Sequence, residues 1–305
     1  VSTNAVEISN TTKTFGSLAA VDDLSLSVPS GCVYGFIGPN GSGKTTTLRM
    51  IMNIFLPDSG TIRVLGQERY EAWADRIGYL PEERGLYTKM KVRDVLRFYA
   101  KLKDGGDVKR SVDRWLERLD LADWADKRVE ALSKGMSQKV QFIAAVVHRP
   151  ELVILDEPFT GLDPVNTDVL QQAVLELQAN GATVIFSTHD MNTAEAMCDF
   201  ICMIFKGRKV LDGTLSQIQD QYGTDTVRVR IDGDHAALRD LPGVQRITDR
   251  GQLQELRLTD GADSQQVLAA IMSRARVRHF ELARPSLHEI FVRIAGPAAA
   301  EAANA

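Results

Sequence analysis

One octapeptide constrains this chain more than any other feature. Gly38-Pro39-Asn40-Gly41-Ser42-Gly43-Lys44-Thr45 fits the pattern G-x4-G-K-[ST]. It follows a run at 33–37 that is apolar or aromatic apart from Gly35, and precedes Leu48, Ile51, Met52 and Phe55 at i, i+3, i+4 and i+7. A strand before and an amphipathic helix after is the context in which such a loop binds phosphate. Its glycines let the backbone curl so that N–H groups along Gly38, Asn40, Gly41, Ser42, Gly43, Lys44, Thr45 and Thr46 face phosphate oxygens, and the helix start adds a favourable dipole. Lys44 is expected to reach the β- and γ-phosphates, and the Thr45 hydroxyl to hold Mg2+.

A second apolar run, Leu152-Val153-Ile154-Leu155, ends in Asp156-Glu157. Mg2+ is a hard cation that keeps most of its waters and takes a carboxylate nearby, so Asp156 is the expected ligand, direct or through water. Glu157 is then placed to orient and deprotonate an attacking water. His189 follows a third apolar run at 183–187. Ligands bind at the carboxyl ends of strands in open α/β sheets, which gives His189 a hydrogen bond to the γ-phosphate and that water.

The rest of the chain supplies a scaffold of matching class. Its 305 residues suit one large domain and one small one, and 44% hydrophobic with 25% charged residues builds a sizeable core. A net charge of −4 and a pI near 5.8 make nucleic acid and anionic lipid poor default partners. No apolar run approaches the roughly 20 residues of a membrane span, and no leader pattern opens the sequence. Cys32, Cys198 and Cys202 form an odd set without framework spacing, which fits a reducing compartment. Cys198 and Cys202 are spaced to share a helix face, but no further ligand completes a metal site there.

Helical patterns crowd 86–150, with Val92, Val95, Leu96, Tyr99 and Leu102 on one face, then Val112, Trp115, Leu116 and Leu119, then Val140, Ile143, Ala144 and Val147. This reads as a helical subdomain inserted into an α/β core at 1–217. The apolar runs at 152–155, 183–187 and 201–205 suit a parallel sheet covered on both faces. A helix opens at Pro164 between the first two of them. A linker is expected at 218–224 and a small α+β domain at 225–295. There Val227, Val229 and Ile231 alternate, and Ser286 and Glu289 have capping-box spacing. The Ala-rich stretch 296–305 reads as a flexible tail.

Together these motifs resemble the nucleotide-binding subunit of an ABC transporter, over residues 6 to about 217. Leu132-Ser133-Lys134-Gly135-Met136 is similar to the family signature LSGGQ. The resemblance implies that Ser133 and Gly135 open a helix gripping the γ-phosphate of ATP on the opposite subunit. It also implies that Phe15 stacks on adenine and that Thr160-Gly161-Leu162-Asp163 is the D-loop crossing the dimer interface, with Asp163 at the nucleotide. The implied fold is a P-loop NTPase (ABC ATPase) core with an inserted helical subdomain. The implied cofactors are ATP and Mg2+, and the implied assembly is a homodimer or heterodimer on separate transmembrane permease subunits, peripheral on the cytoplasmic face of the cell membrane. Glu82 replaces the family's usual Gln after Tyr79-Leu80-Pro81, and Lys134 and Met136 depart from the signature. Glu82 retains oxygen ligands for Mg2+ but adds negative charge beside Asp156 and Glu157. These departures and the C-terminal module resemble an export-type subgroup related to sodium and antibiotic efflux systems.

The loop between Glu83 and Arg93, with Leu86, Tyr87 and Met90, is the expected docking surface for the membrane partner. A soluble ABC-type ATPase acting on nucleic acid or ribosomes is the alternative. Neither a coiled-coil insertion, a second cassette nor a zinc module accompanies it here. The C-terminal module shows no catalytic constellation; Arg228, Arg230, Arg274, Arg276 and Arg278 read as a solvated face, and the module as a stabiliser or regulator of the dimer.

Overall fold

The computed structural model describes residues 4–303 apart from Arg84, 104–106, 224–225, Asp234, Arg250 and Asp260, with side chains in the last helix described as far as Gly296. The chain divides into two compact units, Val1–Thr214 and Leu215–Ala305. In order, the first unit runs β1 (Asn4–Phe15), β2 (Leu18–Pro29), β3 (Val33–Ile37), α1 (Lys44–Ile51), β4 (Ser59–Val64) and β5 (Ile77–Leu80). Then come α2 (Val92–Leu102), α3 (Val108–Arg118), α4 (Lys134–Val146), β6 (Leu152–Asp156), α5 (Pro164–Ala179), β7 (Thr183–Thr188), α6 (Met191–Met197), β8 (Phe200–Phe205) and β9 (Arg208–Gly213).

Six strands form the central sheet in the order β5-β6-β7-β3-β8-β9, parallel except for the β8–β9 hairpin. Every residue of β3, β6 and β7 is buried, as continuous apolar runs require of strands covered on both faces. The register sets Ile37 beside Thr188 and Asp156 beside Ser187. Three strands therefore end at one level, and the loops leaving them meet at a single sheet edge. An antiparallel sheet, β2-β1-β4, completes the core.

Helices α2, α3 and α4 make the inserted subdomain. Trp115 and Phe142 meet edge to face at 5.8 Å, and Leu96, Leu116 and Ile143 are fully buried around them. Burial of each such side chain contributes roughly 1.5–3 kcal/mol. The buried Lys139 ammonium donates to the Leu119 carbonyl (3.2 Å) at the end of α3, where orphan carbonyls need donors. Arg114 and Arg118 of α3 both reach Glu176 of α5, at 2.9 and 2.8 Å, tying the subdomain to the sheet's covering helix.

Three local expectations change. Helix α1 ends at Ile51, not at Phe55, because Asn53 takes a left-handed φ of 56° and the Ile54 and Phe55 amides turn back to the Arg49 carbonyl. Cys198 caps the end of α6 while Cys202 lies on β8, so the two share no helix face. The expected linker is largely helix: α7 (Leu215–Gln221) occupies its first half, with Ile218 buried, and Thr224 lies outside the described residues.

The second unit is a four-stranded antiparallel sheet, β11 (Val244–Asp249), β12 (Gln254–Leu258), β10 (Thr226–Asp232) and β13 (Arg276–Ala283), in that order. Val227, Val229 and Ile231 face a core shared with Val267 and Ile271 of α8 (Ser264–Met272). Helix α9 (Leu287–Ala303) starts at the capping box, where Ser286 N donates to Glu289 Oε2 (2.7 Å) and Glu289 N to Ser286 Oγ (3.2 Å). Its backbone stays helical through 296–303, the stretch read as tail.

Candidate functional site

The loop after β3 is shaped by three glycines at positive φ: Gly38 (148°), Gly41 (75°) and Gly43 (110°). A Cβ on Gly38 would lie 2.2 Å from the Ile204 carbonyl, and one on Gly43 2.4 Å from that of Ala20, so only glycine fits either place. Lys44 folds back along the loop, its ammonium donating to Gly38 O (2.8 Å) and Pro39 O (3.1 Å). The same Nζ stands 3.8 Å from Glu157 Oε1. Burial pulls the Lys44 pKa below the usual lysine range, against the opposing pull of Glu157, Asp156 and Glu82.

At the end of β6, Asp156 is fully buried, and its Oδ1 accepts from Thr45 Oγ1 (3.1 Å) and Ser187 Oγ (2.5 Å). Its other oxygen, Oδ2, is buried with no hydrogen-bond partner, and so is Ser42 Oγ in the loop. Burial raises the Asp156 carboxyl above the usual range, partly offset by the two hydroxyls. A buried carboxylate oxygen without a donor, next to a threonine hydroxyl, is an oxygen set suited to a small hard cation. The residues present therefore fit Mg2+.

Glu157 adopts a left-handed φ of 49°, uncommon for a side chain of its size and found where function holds the backbone. Its amide donates to Ser187 Oγ (2.9 Å), and Thr160 Oγ1 donates to its Oε2 (2.9 Å). His189 Nδ1 lies 3.1 Å from the same oxygen. A carboxylate only accepts, so the proton of this contact sits on Nδ1.

A cleft of about 780 Å³ opens over the loop, lined by Phe15, Asn40, Gly41, Gly43, Lys44, Thr45, Thr46, Glu82 and Glu157. Phe15 is 44% exposed at the cleft, with Phe55 edge to face at 5.4 Å and the Lys13 ammonium over its ring at 5.6 Å. Leu18, Ala19, Ala20, Lys206 and Gly207 also line the cleft and were not expected from sequence. They come from the β2 start and the β8–β9 turn, and only tertiary structure brings them there. Ser187 was missed too, although its place two residues before His189 at a strand end was a readable signal.

Ser133, Gly135 and Asp163 do not line this cleft. Ser133 caps α4 by accepting from Met136 N (3.3 Å), and Asp163 caps α5 by accepting from Asn166 N (3.0 Å). A Cβ on Gly135 would meet Asn166 Nδ2 at 3.3 Å and Leu162 at 3.6 Å, so the two helix starts pack together as a separate surface.

The model of the ABC transporter family matches residues 21–160, and that of the "ATP-binding protein DrrA1-3-like, C-terminal domain" matches 213–295. An uncharacterized ABC transporter ATP-binding protein of Bacillus subtilis, YhaQ, is 42% identical over 95% of this chain and 98% of its own length. The Nod factor export ATP-binding protein I of Paraburkholderia xenovorans is 36% identical over 96% and 97%. Among solved structures, one described as an ATP binding subunit of an ABC transporter superposes with a TM-score of 0.67 at 31% identity, covering 72% of this chain and 93% of that one. Among the described residues no helix is long and apolar enough to cross a membrane.

Proposed function

This chain belongs to the ABC transporter ATP-binding family, an ATP-hydrolysing transporter subunit, and on that premise we propose that two copies, or this chain and a related one, close around two Mg-ATP to drive export through separate membrane subunits. The observation that carries the reading is the division of the phosphate-binding residues. Lys44, Thr45 and Glu157 line the cleft, while Ser133 and Gly135 open a helix elsewhere on the same chain. Placed over a second chain's cleft, the start of α4 would present its amide N–H groups to that chain's γ-phosphate.

Within each site, Phe15 would stack on adenine and the loop amides with Lys44 would bind the β- and γ-phosphates. Thr45, Asp156 and Glu82 would hold Mg2+, which supplies charge neutralisation on the phosphates. Glu157 would take the proton of the attacking water as its oxygen bonds to the γ-phosphorus and the bond to the β–γ bridging oxygen breaks, releasing ADP. His189 would hold the γ-phosphate oxygen.

The membrane partner would dock on the start of the helical subdomain. Tyr87 is 54% and Phe98 38% exposed, in edge-to-face contact at 5.6 Å, while Leu86 and Met90 anchor the loop by packing on the core. Docked in this way, the chain would sit on the cytoplasmic face of the cell membrane. Export is favoured by the name of the Nod factor relative. The C-terminal unit would steady or regulate the dimer. The relatives described are transporter proteins, which leaves the nucleic-acid or ribosome alternative without support.

Affinity purification from gently solubilised native membranes tests this. A polytopic membrane protein in near-equal amount is the expected result. Ribosomes, nucleic acid or a purely soluble complex would overturn it.

A further inference from the structure

The carboxylate of Glu157 has two oxygens, and the structure treats them differently. Oε1 faces the Lys44 ammonium at 3.8 Å, on the side of the phosphate loop. Oε2 accepts from Thr160 Oγ1 at 2.9 Å. We propose that Thr160 is a positioning residue for hydrolysis: its hydroxyl holds Oε2 and so keeps Oε1 aimed at the attacking water. The proposal rests on Glu157 being the base.

Among the described residues His189 Nδ1 also reaches this carboxylate, 3.1 Å from Oε2 and 3.2 Å from Oε1, on a side chain 51% exposed. A histidine that turns to the γ-phosphate loosens its hold on Glu157, and Thr160 then carries the orientation. The backbone does not do so unaided, because the left-handed φ of Glu157 is not one its residue type prefers.

Thr160 can act this way only from a fixed turn, and the turn is fixed from several sides. Its amide closes on the Glu157 carbonyl (3.2 Å), and Leu162 N on Phe159 O (3.3 Å). Gln138 of α4 donates to the Pro158 carbonyl (3.1 Å), and Phe159 packs edge to face on Phe186 at 5.6 Å. The Lys134 side chain lies across Gly161, where a Cβ would come within 2.3 Å of its ammonium. Gly161 has φ 74°, the left-handed region that favours glycine, whereas the end of the Lys134 side chain could swing aside. Lys134 thus fills the place of a signature glycine with a side chain laid against the turn that carries Thr160.

The test is steady-state ATP hydrolysis by the full chain with Mg2+, comparing Thr160→Val, Thr160→Ser and Glu157→Gln. Thr160 is exposed, so neither change at this position disturbs the core. Thr160→Val is expected to lower kcat about tenfold, the worth of one hydrogen bond to a charged group, with the KM for ATP within about twofold. Thr160→Ser, which keeps the hydroxyl, restores kcat to within about threefold of wild type. A Thr160→Val kcat equal to wild type, beside an inactive Glu157→Gln, overturns the proposal and leaves the base assignment standing. Equal losses in Thr160→Val and Thr160→Ser, or a KM that rises with the fall in kcat, also overturn it. An active Glu157→Gln overturns the base assignment and the proposal together.

Discussion

Glu82 shares the cleft with Glu157, and Asp156 lies buried just behind it. The Lys44 ammonium feels all three carboxylates at once, so Glu82 adds charge where the triphosphate must bring more. Glu82→Gln is therefore expected to hydrolyse ATP about two- to fivefold faster, the effect of roughly 1 kcal/mol of relieved repulsion. Equal rates, with equal stimulation by the membrane partner, would contradict that. At this scale the sequence was highly readable where chemistry demands consecutive residues. The loop at 38–45 and the Asp156-Glu157 pair need a fixed order, and order survives in a string of letters. Ala20 reaches the site from β2 and Lys206 from the β8–β9 turn, and no spacing in the sequence announces either. The spare oxygen on Asp156 is likewise a fact of burial, invisible before packing.

Elements were legible where one period dominates. The runs of β3, β6 and β7 are buried throughout, and α2, α3 and α4 bury most of the faces their patterns mark, although Leu102 at the end of α2 is 60% exposed. Strands β1 and β2 were missed because their pairing is interrupted by bulges at several points, which breaks the two-residue alternation. Strand β11 is mostly exposed, and α7 buries only Ile218, so neither carries a periodic signal. Contacts between elements were not legible at all. Arg114 and Arg118 hold the Glu176 carboxyl below its usual range. A folded-state value below the unfolded one means stability present above the ordinary carboxylate value, about 4.3, and lost as pH falls through the folded value. Glu176→Gln is expected to cost about 1 kcal/mol or less at neutral pH, since the group is partly exposed and solvent-screened. It should also flatten the fall in melting temperature on acidification below about pH 4.5. Thermal melts from pH 7 downward check both; a variant whose acid limb parallels wild type would show that the clamp does not titrate with folding.

For the molecule as a whole, the division of labour between surfaces matters more than any single contact. A helix start with Ser133 as its cap is an anion site by geometry and dipole, yet it stands apart from its own chain's cleft. That arrangement makes sense when the cleft and the helix start come from different chains. Motion at the site would then reach the exposed Tyr87 and Phe98 through the subdomain that carries them both. The most direct test is the mass of the Glu157→Gln protein by light scattering, with and without Mg-ATP, since a chain that binds but does not hydrolyse should trap the closed state. If the related copy is this same chain, the mass doubles from 33.7 kDa when Mg-ATP is added. If only a related chain serves, doubling requires that chain as well. A protein that binds Mg-ATP yet stays at 33.7 kDa, alone and with the ATP-binding chain that copurifies with it, would contradict the account.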